Sequence, residues 1–97
     1  MGAPLNPDEI RAGLEGLRGW TQVGEALRKD FRFGSFREAM SFMVRVAFEA
    51  EAMNHHPDWT NVYNRVEIRL NTHDAGDRIT GKDLELARRI EKVSWID

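Results

Sequence analysis

The fold is decided by residues 35–72, SFREAMSFMVRVAFEAEAMNHHPDWTNVYNRVEIRLNT, in which a helical pattern is followed by a β pattern. The helical pattern runs from Ser35 to about Met53, and its apolar side chains cover about two-thirds of the circumference. A helix this apolar needs cover on two sides, whereas a chain of 97 residues has one sheet to offer. We therefore expect this helix to contact another subunit; the alternative is that helix one or three covers it.

The β pattern runs from Trp59 to Thr72, where apolar and polar residues alternate. Such alternation is typical of a half-buried strand, here either one long strand or two short strands that turn near Tyr63-Asn64. Upstream of the long helix, residues 20–23 and 26–33 form a predicted hairpin with one apolar face. Lys29 is the only misfit on that face.

Two further helices are indicated by the residues at their starts. The segment Asn6–Glu9 contains a capping box with proline at the first helical position. Thr80 and Asp83 form a similar start for the last helix. We therefore predict an α+β fold in which helices cover one face of an antiparallel sheet. The length predicts one domain over residues 1–97.

The composition is that of an ordinary folded protein. Lys and Arg number 14 and Asp and Glu number 16, so the formal net charge of -2 gives no sign of nucleic-acid or anionic-membrane binding. The absence of cysteine excludes a disulfide scaffold, a thiolate nucleophile and an iron–sulfur site. The opening MGAPLNPDEI lacks the features of a signal peptide, and no run approaches the ~20 apolar residues of a membrane span. We expect a cytoplasmic protein.

All 3 histidines lie between the long helix and the last one, at His55, His56 and His73. A pair of strands would bring His73 back beside the other two. Imidazole gives and takes a proton near neutral pH, which suits acid–base catalysis. The alternative is a set of surface histidines without a shared role. A zinc site is less favoured, because adjacent histidines in an extended segment tend to point apart.

Two carboxylates accompany these histidines in the sequence. Glu51 precedes His55 by one helical turn and falls within the apolar arc, so a contact between them would orient the ring. The alternative is a solvent-exposed i, i+4 pair. Asp83 is interpreted in the first place as a cap partner of the last helix.

The sequence resembles the pterin-4a-carbinolamine dehydratase family over essentially the whole chain, from the Trp20 strand to the last helix. The resemblance rests on E-x-x-N-H-H-P-D-W-x-N-V-Y-N-x-V at residues 51–66, T-H-D-A-G at 72–76 and I-T-x-x-D-x-x-L-A at 79–87. It implies a single α-β-β-α-β-β-α domain with a four-stranded antiparallel sheet, and hence two strands within residues 59–72. It also implies a homo-oligomer, as a dimer through sheet edges or a tetramer through the long helix.

The resemblance implies a reaction as well as a fold. The family removes water from 4a-hydroxytetrahydrobiopterin, the spent cofactor of aromatic amino-acid hydroxylases, to give quinonoid dihydropterin. The implied catalytic residues are His55, His56 and His73, and no metal or cofactor is needed. The implied substrate-binding residues are Glu51, Asn54, Pro57, Trp59, Thr72, Asp74, Ala75 and Asp83. The alternative is a non-catalytic scaffold or transcriptional cofactor of the same fold.

The sequence departs from the family pattern in two places. Asn54 stands where many members carry an acidic residue. The loop at residues 76–80 is one residue longer than the usual form, so we expect the placement of Asp83 against His73 to differ.

Overall fold

The elements follow the order α-β-β-α-β-β-α, as predicted from the sequence. The computed structural model describes residues 2–96, so Met1 and Asp97 of the predicted 1–97 unit lie outside the described residues. The helices are α1 (Pro7–Leu14), α2 (Phe36–Met53) and α3 (Gly81–Val93). The strands are β1 (Thr21–Val23), β2 (Ala26–Arg32), β3 (Asp58–Val62) and β4 (Arg65–Leu70).

The helices begin at the capping residues predicted for them. The Asn6 side chain accepts the Glu9 amide at 2.8 Å, and the Glu9 carboxylate accepts the Asn6 amide at 2.9 Å. Ser35 accepts the Glu38 amide at 3.1 Å at the start of α2. These bonds satisfy backbone donors that have no partner within their helix, which is why the chain turns helical at these positions.

The four strands form one antiparallel sheet in the order β1-β2-β4-β3. The chain turns between Val62 and Arg65, so the long β pattern is two strands and the choice left open by its alternation is resolved. Leu27 lies opposite Leu70, and Phe31 lies opposite Val66 across β2 and β4. Their shared register places the apolar side chains on one face, against which the helices pack.

Lys29, the misfit on the apolar face of the hairpin, is buried in an ion pair. Its side chain is 2% exposed, and its Nζ donates to Glu91 Oε2 at 2.9 Å and to the Arg18 carbonyl at 2.8 Å. Trp20 Nε1 donates to the same Glu91 oxygen at 3.0 Å. Burial of a charge requires such partners. Lys29 can therefore lie on the apolar face of β2, because Glu91 of α3 pairs with its charge.

Helix α2 buries one stripe and exposes another. Phe42 and Val46 are fully buried, and Met43 packs against the core from its edge. Val44 is 54% and Phe48 72% exposed, on the side away from the sheet. No helix in the described part of the chain is long and apolar enough to cross a membrane.

Candidate active site

The C-terminus of α2 delivers the first two histidines. Asn54 adopts the left-handed conformation, with φ 50° and ψ 45°, and ends the helix. Asparagine is one of the few side chains that tolerate this region readily. The His55 amide still donates to the Ala50 carbonyl at 3.0 Å, but its side chain leaves the helical path and is buried.

The His55 ring is held by a fully buried carboxylate. His55 Nε2 lies 2.6 Å from Asp83 Oδ1. Asp83 Oδ2 accepts the Thr72 hydroxyl at 2.8 Å and the Thr80 amide at 2.8 Å. Because a carboxylate only accepts, the geometry assigns the hydrogen of this contact to His55 Nε2, which donates to Asp83.

The structure corrects the predicted partner of Glu51. Its Oε1 lies 2.9 Å from His56 Nε2, and not against His55. The prediction assumed that the helix continued to His55, whereas Asn54 ends it and turns the His55 ring toward Asp83. Both Glu51 and His56 are exposed, with side-chain exposures of 78% and 59%. Glu51 therefore contacts His56, whereas the sequence predicted a contact with His55.

The third histidine, His73, lies in a 3-10 turn, His73–Ala75, that follows β4. Its side chain is 91% exposed, and its Nδ1 lies 3.1 Å from Asp77 Oδ1. The hydrogen bond and charge of Asp77, together with the charge of Asp74, raise the pKa of His73 above its usual value. The backbone of this segment is anchored because the Thr72 amide donates to the Arg78 carbonyl at 2.8 Å.

The structure brings the three histidines to one open cleft of about 240 Å³. The residues that line it are Asn54, His55, His56, Asn71, Thr72, His73, Asp74 and Lys82. Three of the residues predicted to bind substrate, Asn54, Thr72 and Asp74, line this cleft. Asp83 lies beneath the cleft, both as helix cap and as partner of His55.

Five predicted substrate-binding residues are not among those that line the cleft. Glu51 and Asp83 contact His56 and His55 instead, and the other three are Pro57, Trp59 and Ala75. Trp59 is half-buried and packs against the core from β3.

Sequence reasoning missed four polar residues at or near the cleft: Asn71, Asp77, Thr80 in its side-chain role, and Lys82. Asn71 directly precedes the T-H-D-A-G segment, so its position was a usable signal. Thr80 was recognised only as a cap, yet its hydroxyl lies 2.7 Å from that of Thr72. Asp77 lies in the loop at residues 76–80, and only the folded chain shows that it reaches His73.

A larger concavity of about 480 Å³ lies on the open face of the sheet. It is lined mostly by charged side chains of β2 and β4, among them Arg28 and Glu67, and no histidine lines it. Arg28 Nη2 and Glu67 Oε2 lie 2.9 Å apart, so the two charges are already paired. Within residues 2–96, no group of three or more His, Cys, Asp or Glu side chains is arranged to hold a metal ion. The smaller cleft is therefore the better candidate for an active site, because it holds the three histidines.

Comparison with known proteins points to the same family as the motifs. The model of the family described as pterin 4 alpha carbinolamine dehydratase matches residues 3–93. A protein of Opitutus terrae, named for that dehydratase, is 63% identical over 92 residues, which cover 95% of each chain. A Burkholderia vietnamiensis protein named likewise is 50% identical over 91 residues, covering 92% of this chain and 88% of its own.

Solved structures agree at the level of the fold. The crystal structure of a transcriptional coactivator/pterin dehydratase from Brucella melitensis superposes with a TM-score of 0.87 at 37% identity, covering 93% of this chain and 97% of its own. A pterin dehydratase-like RuBisCO assembly factor of the alpha-carboxysome superposes with a TM-score of 0.69 at 22% identity, covering 82% of this chain and 94% of its own. The chain belongs to the pterin 4 alpha carbinolamine dehydratase family.

Proposed function

We propose that the cleft dehydrates a pterin 4a-carbinolamine, such as 4a-hydroxytetrahydrobiopterin, and so serves the recycling of a tetrahydropterin cofactor. The observation that carries this proposal is that His55, His56 and His73 meet in one cleft. Each has a carboxylate partner of its own, at 2.6, 2.9 and 3.1 Å respectively. Membership of the family, and the names of the relatives in Opitutus and Burkholderia, support the choice of substrate.

The reaction needs one acid and one base beside a flat heterocycle. The lone pair on N5 of the pterin forms a double bond to C4a while the bond from C4a to the hydroxyl oxygen breaks. The departing oxygen keeps its electron pair and accepts a proton from the acid, which gives water. The base accepts the proton on N5, which leaves the neutral quinonoid dihydropterin. Proton transfers of this kind contribute about 10²–10⁴-fold each.

The three histidines supply these groups in different settings. His55 presents Nδ1, with Asp83 as the positioning residue behind it. His56 and His73 are exposed at the cleft, and their rings contact Glu51 and Asp77. A substrate placed among them meets an imidazole on more than one side, so one ring is available as acid while another acts as base.

We expect the remaining lining residues to hold the pterin ring. Its pyrimidine portion presents hydrogen-bond donors and acceptors along one edge. The Asn54 and Asn71 amides and the Asp74 carboxylate offer the complementary groups at the rim. The Thr72 hydroxyl is already committed to Asp83, so Thr72 contributes through its backbone and by fixing the carboxylate.

An assay on chemically generated 4a-carbinolamine tests the proposal. The folded protein is expected to accelerate formation of the quinonoid product over buffer and over free imidazole at the same concentration. The alternative is a binding or scaffold protein. One structural relative is titled a transcriptional coactivator as well as a pterin dehydratase, and another a RuBisCO assembly factor. A folded protein without any acceleration would decide for that alternative.

Turnover is expected to need no metal ion. The C4a oxygen leaves once it is protonated, and the imidazoles provide that proton. Protein purified without added metal should contain substoichiometric zinc on elemental analysis, and a chelator should leave the rate unchanged. Stoichiometric zinc with chelator-sensitive turnover would point to a metal-assisted mechanism instead.

The exposed stripe of α2 supports self-association. Phe36, Val44 and Phe48 are 49%, 54% and 72% exposed on this helix. In a chain of this size, contiguous exposed apolar side chains of this kind are typical of a subunit interface. We therefore propose that a second copy covers the stripe, in a dimer or a tetramer.

Phe48→Glu is expected to lower the mass measured by light scattering. Phe48 is the most exposed of the three, and a buried unpaired charge costs several kcal/mol, more than a small interface can offset. Ala12→Glu on the exposed side of α1 adds the same charge away from the stripe and should leave the mass unchanged. A wild-type protein that is monomeric at micromolar concentration would contradict this prediction.

A further inference from the structure

The loop at residues 76–80 places a carboxylate beside His73. Asp77 has a positive φ of 60°, and its amide donates to the Thr72 carbonyl at 3.0 Å. The Gly76 amide donates to the His73 carbonyl at 3.0 Å, so the backbone closes a tight turn after the histidine. Aspartate is among the few residues other than glycine that populate this conformation. The backbone therefore directs the Asp77 side chain toward the His73 ring, where Oδ1 and Nδ1 lie 3.1 Å apart.

We propose that Asp77 is a positioning residue that holds His73 as the acid of the dehydration. This inference rests on the proposed function and names the histidine that protonates the departing hydroxyl. The His73 Nε2–H bond breaks as its proton passes to the C4a oxygen, and that oxygen leaves as water with the electrons of the C4a–O bond. The proton on N5 goes to another imidazole of the cleft.

Ring orientation is the first argument. The His73 side chain is 91% exposed, so packing does little to fix its rotamer. A carboxylate only accepts, and the contact therefore places a proton on Nδ1 and leaves Nε2 as the nitrogen that exchanges with substrate. His73 and its partner are four residues apart in one tight turn, which keeps the pair together.

The local charge is the second argument. Asp77 raises the pKa of His73 through its hydrogen bond first and its charge second, and Asp74 adds a further charge. The other charged or titratable groups that line the cleft are Lys82 and the imidazoles of His55 and His56. Because the pKa is raised, a larger fraction of His73 is protonated at neutral pH, and this fraction falls as pH rises through the folded value. The acid of the dehydration must be protonated, because it donates its proton to the departing oxygen.

The test compares Asp77→Asn with wild type and with Asp74→Asn. Asparagine retains the left-handed preference and the side-chain shape of Asp77 but removes its charge. We expect the NMR titration midpoint of His73 to fall in Asp77→Asn, and to fall less in Asp74→Asn, where the hydrogen bond is kept. Asp77→Gly keeps the backbone freedom without the side chain and should also lower the midpoint.

Kinetics supply the second readout. The acid is active when protonated, so kcat of the wild type should decline as pH rises through the His73 value. In Asp77→Asn this decline should begin at lower pH, with KM for the carbinolamine unchanged. The assignment of Asp77 is overturned if Asp77→Asn leaves the titration midpoint of His73 unchanged. It is also overturned if the decline of kcat with pH is unchanged in that variant while the wild-type protein is active. A moved midpoint in a protein without dehydratase activity overturns the proposed function instead.

Discussion

His73→Ala and His56→Ala are expected to lower kcat for carbinolamine dehydration by about 10²–10⁴-fold each. Both side chains are largely exposed, at 91% and 59%, so their loss removes little packing. The fold should therefore survive, as judged by circular dichroism and the unfolding midpoint. Rapid mixing of each variant with freshly generated carbinolamine measures the loss directly.

The double variant His56→Ala/His73→Ala tests whether the two histidines act together. Once one proton-transfer partner is removed, the other contributes less, so the losses of His56→Ala and His73→Ala should not multiply. His55→Ala is a different case, because it also strips the buried Asp83 of a partner and should lower stability as well as kcat. Wild-type turnover in all three single variants would mean that the catalytic assignment is wrong.

Asp83→Ala is expected to lower the free energy of unfolding by about 3–5 kcal/mol, because a buried carboxylate with three donors is removed. The donors are the His55 ring, the Thr72 hydroxyl and the Thr80 amide, each within 2.8 Å. All are buried and would be left without this partner. In a domain of this size the thermal midpoint should fall by roughly 10 °C or more. Activity measured below that midpoint should fall too, because nothing then orients the His55 ring.

A matched substitution on the same helix controls for charge removal alone. Glu85 is partly exposed and pairs with Arg89 on the surface of α3, with Nε and Oε2 3.1 Å apart. Glu85→Gln should leave the unfolding midpoint nearly unchanged, because surface pairs contribute little. If Asp83→Ala unfolds at the same temperature as Glu85→Gln, the network around Asp83 does not stabilise the fold as described.

Much of the fold follows from local patterns. The starts of α1 and α3 are dictated by side-chain to backbone bonds within three residues, and such bonds depend on adjacent sequence only. The division between β3 and β4 was undecided by alternation, since a period of two continues through a short turn. Tyr63, with a φ of 54°, makes that turn without any glycine to indicate it.

The meeting of the three histidines in one cleft could be predicted from the sequence, whereas most of their carboxylate partners could not. His55, His56 and His73 are gathered because β3 and β4 are antiparallel, which returns the end of β4 to the end of α2. The partner of His55 lies 28 residues away on α3, and only tertiary packing brings it there. The expected contact from Glu51 to His55 was wrong because one residue, Asn54, ends the helix. Lys29 likewise fits the apolar face only once Glu91 is placed beside it.

The most direct test compares wild type with the triple variant His55→Ala/His56→Ala/His73→Ala in the carbinolamine assay. The comparison is made at equal concentrations, below the unfolding midpoint of the variant. Wild-type protein is predicted to accelerate water loss from the 4a-carbinolamine, and the folded triple variant is predicted to give the rate of buffer alone. A folded triple variant that retains the wild-type rate would contradict the assignment of dehydration to this cleft.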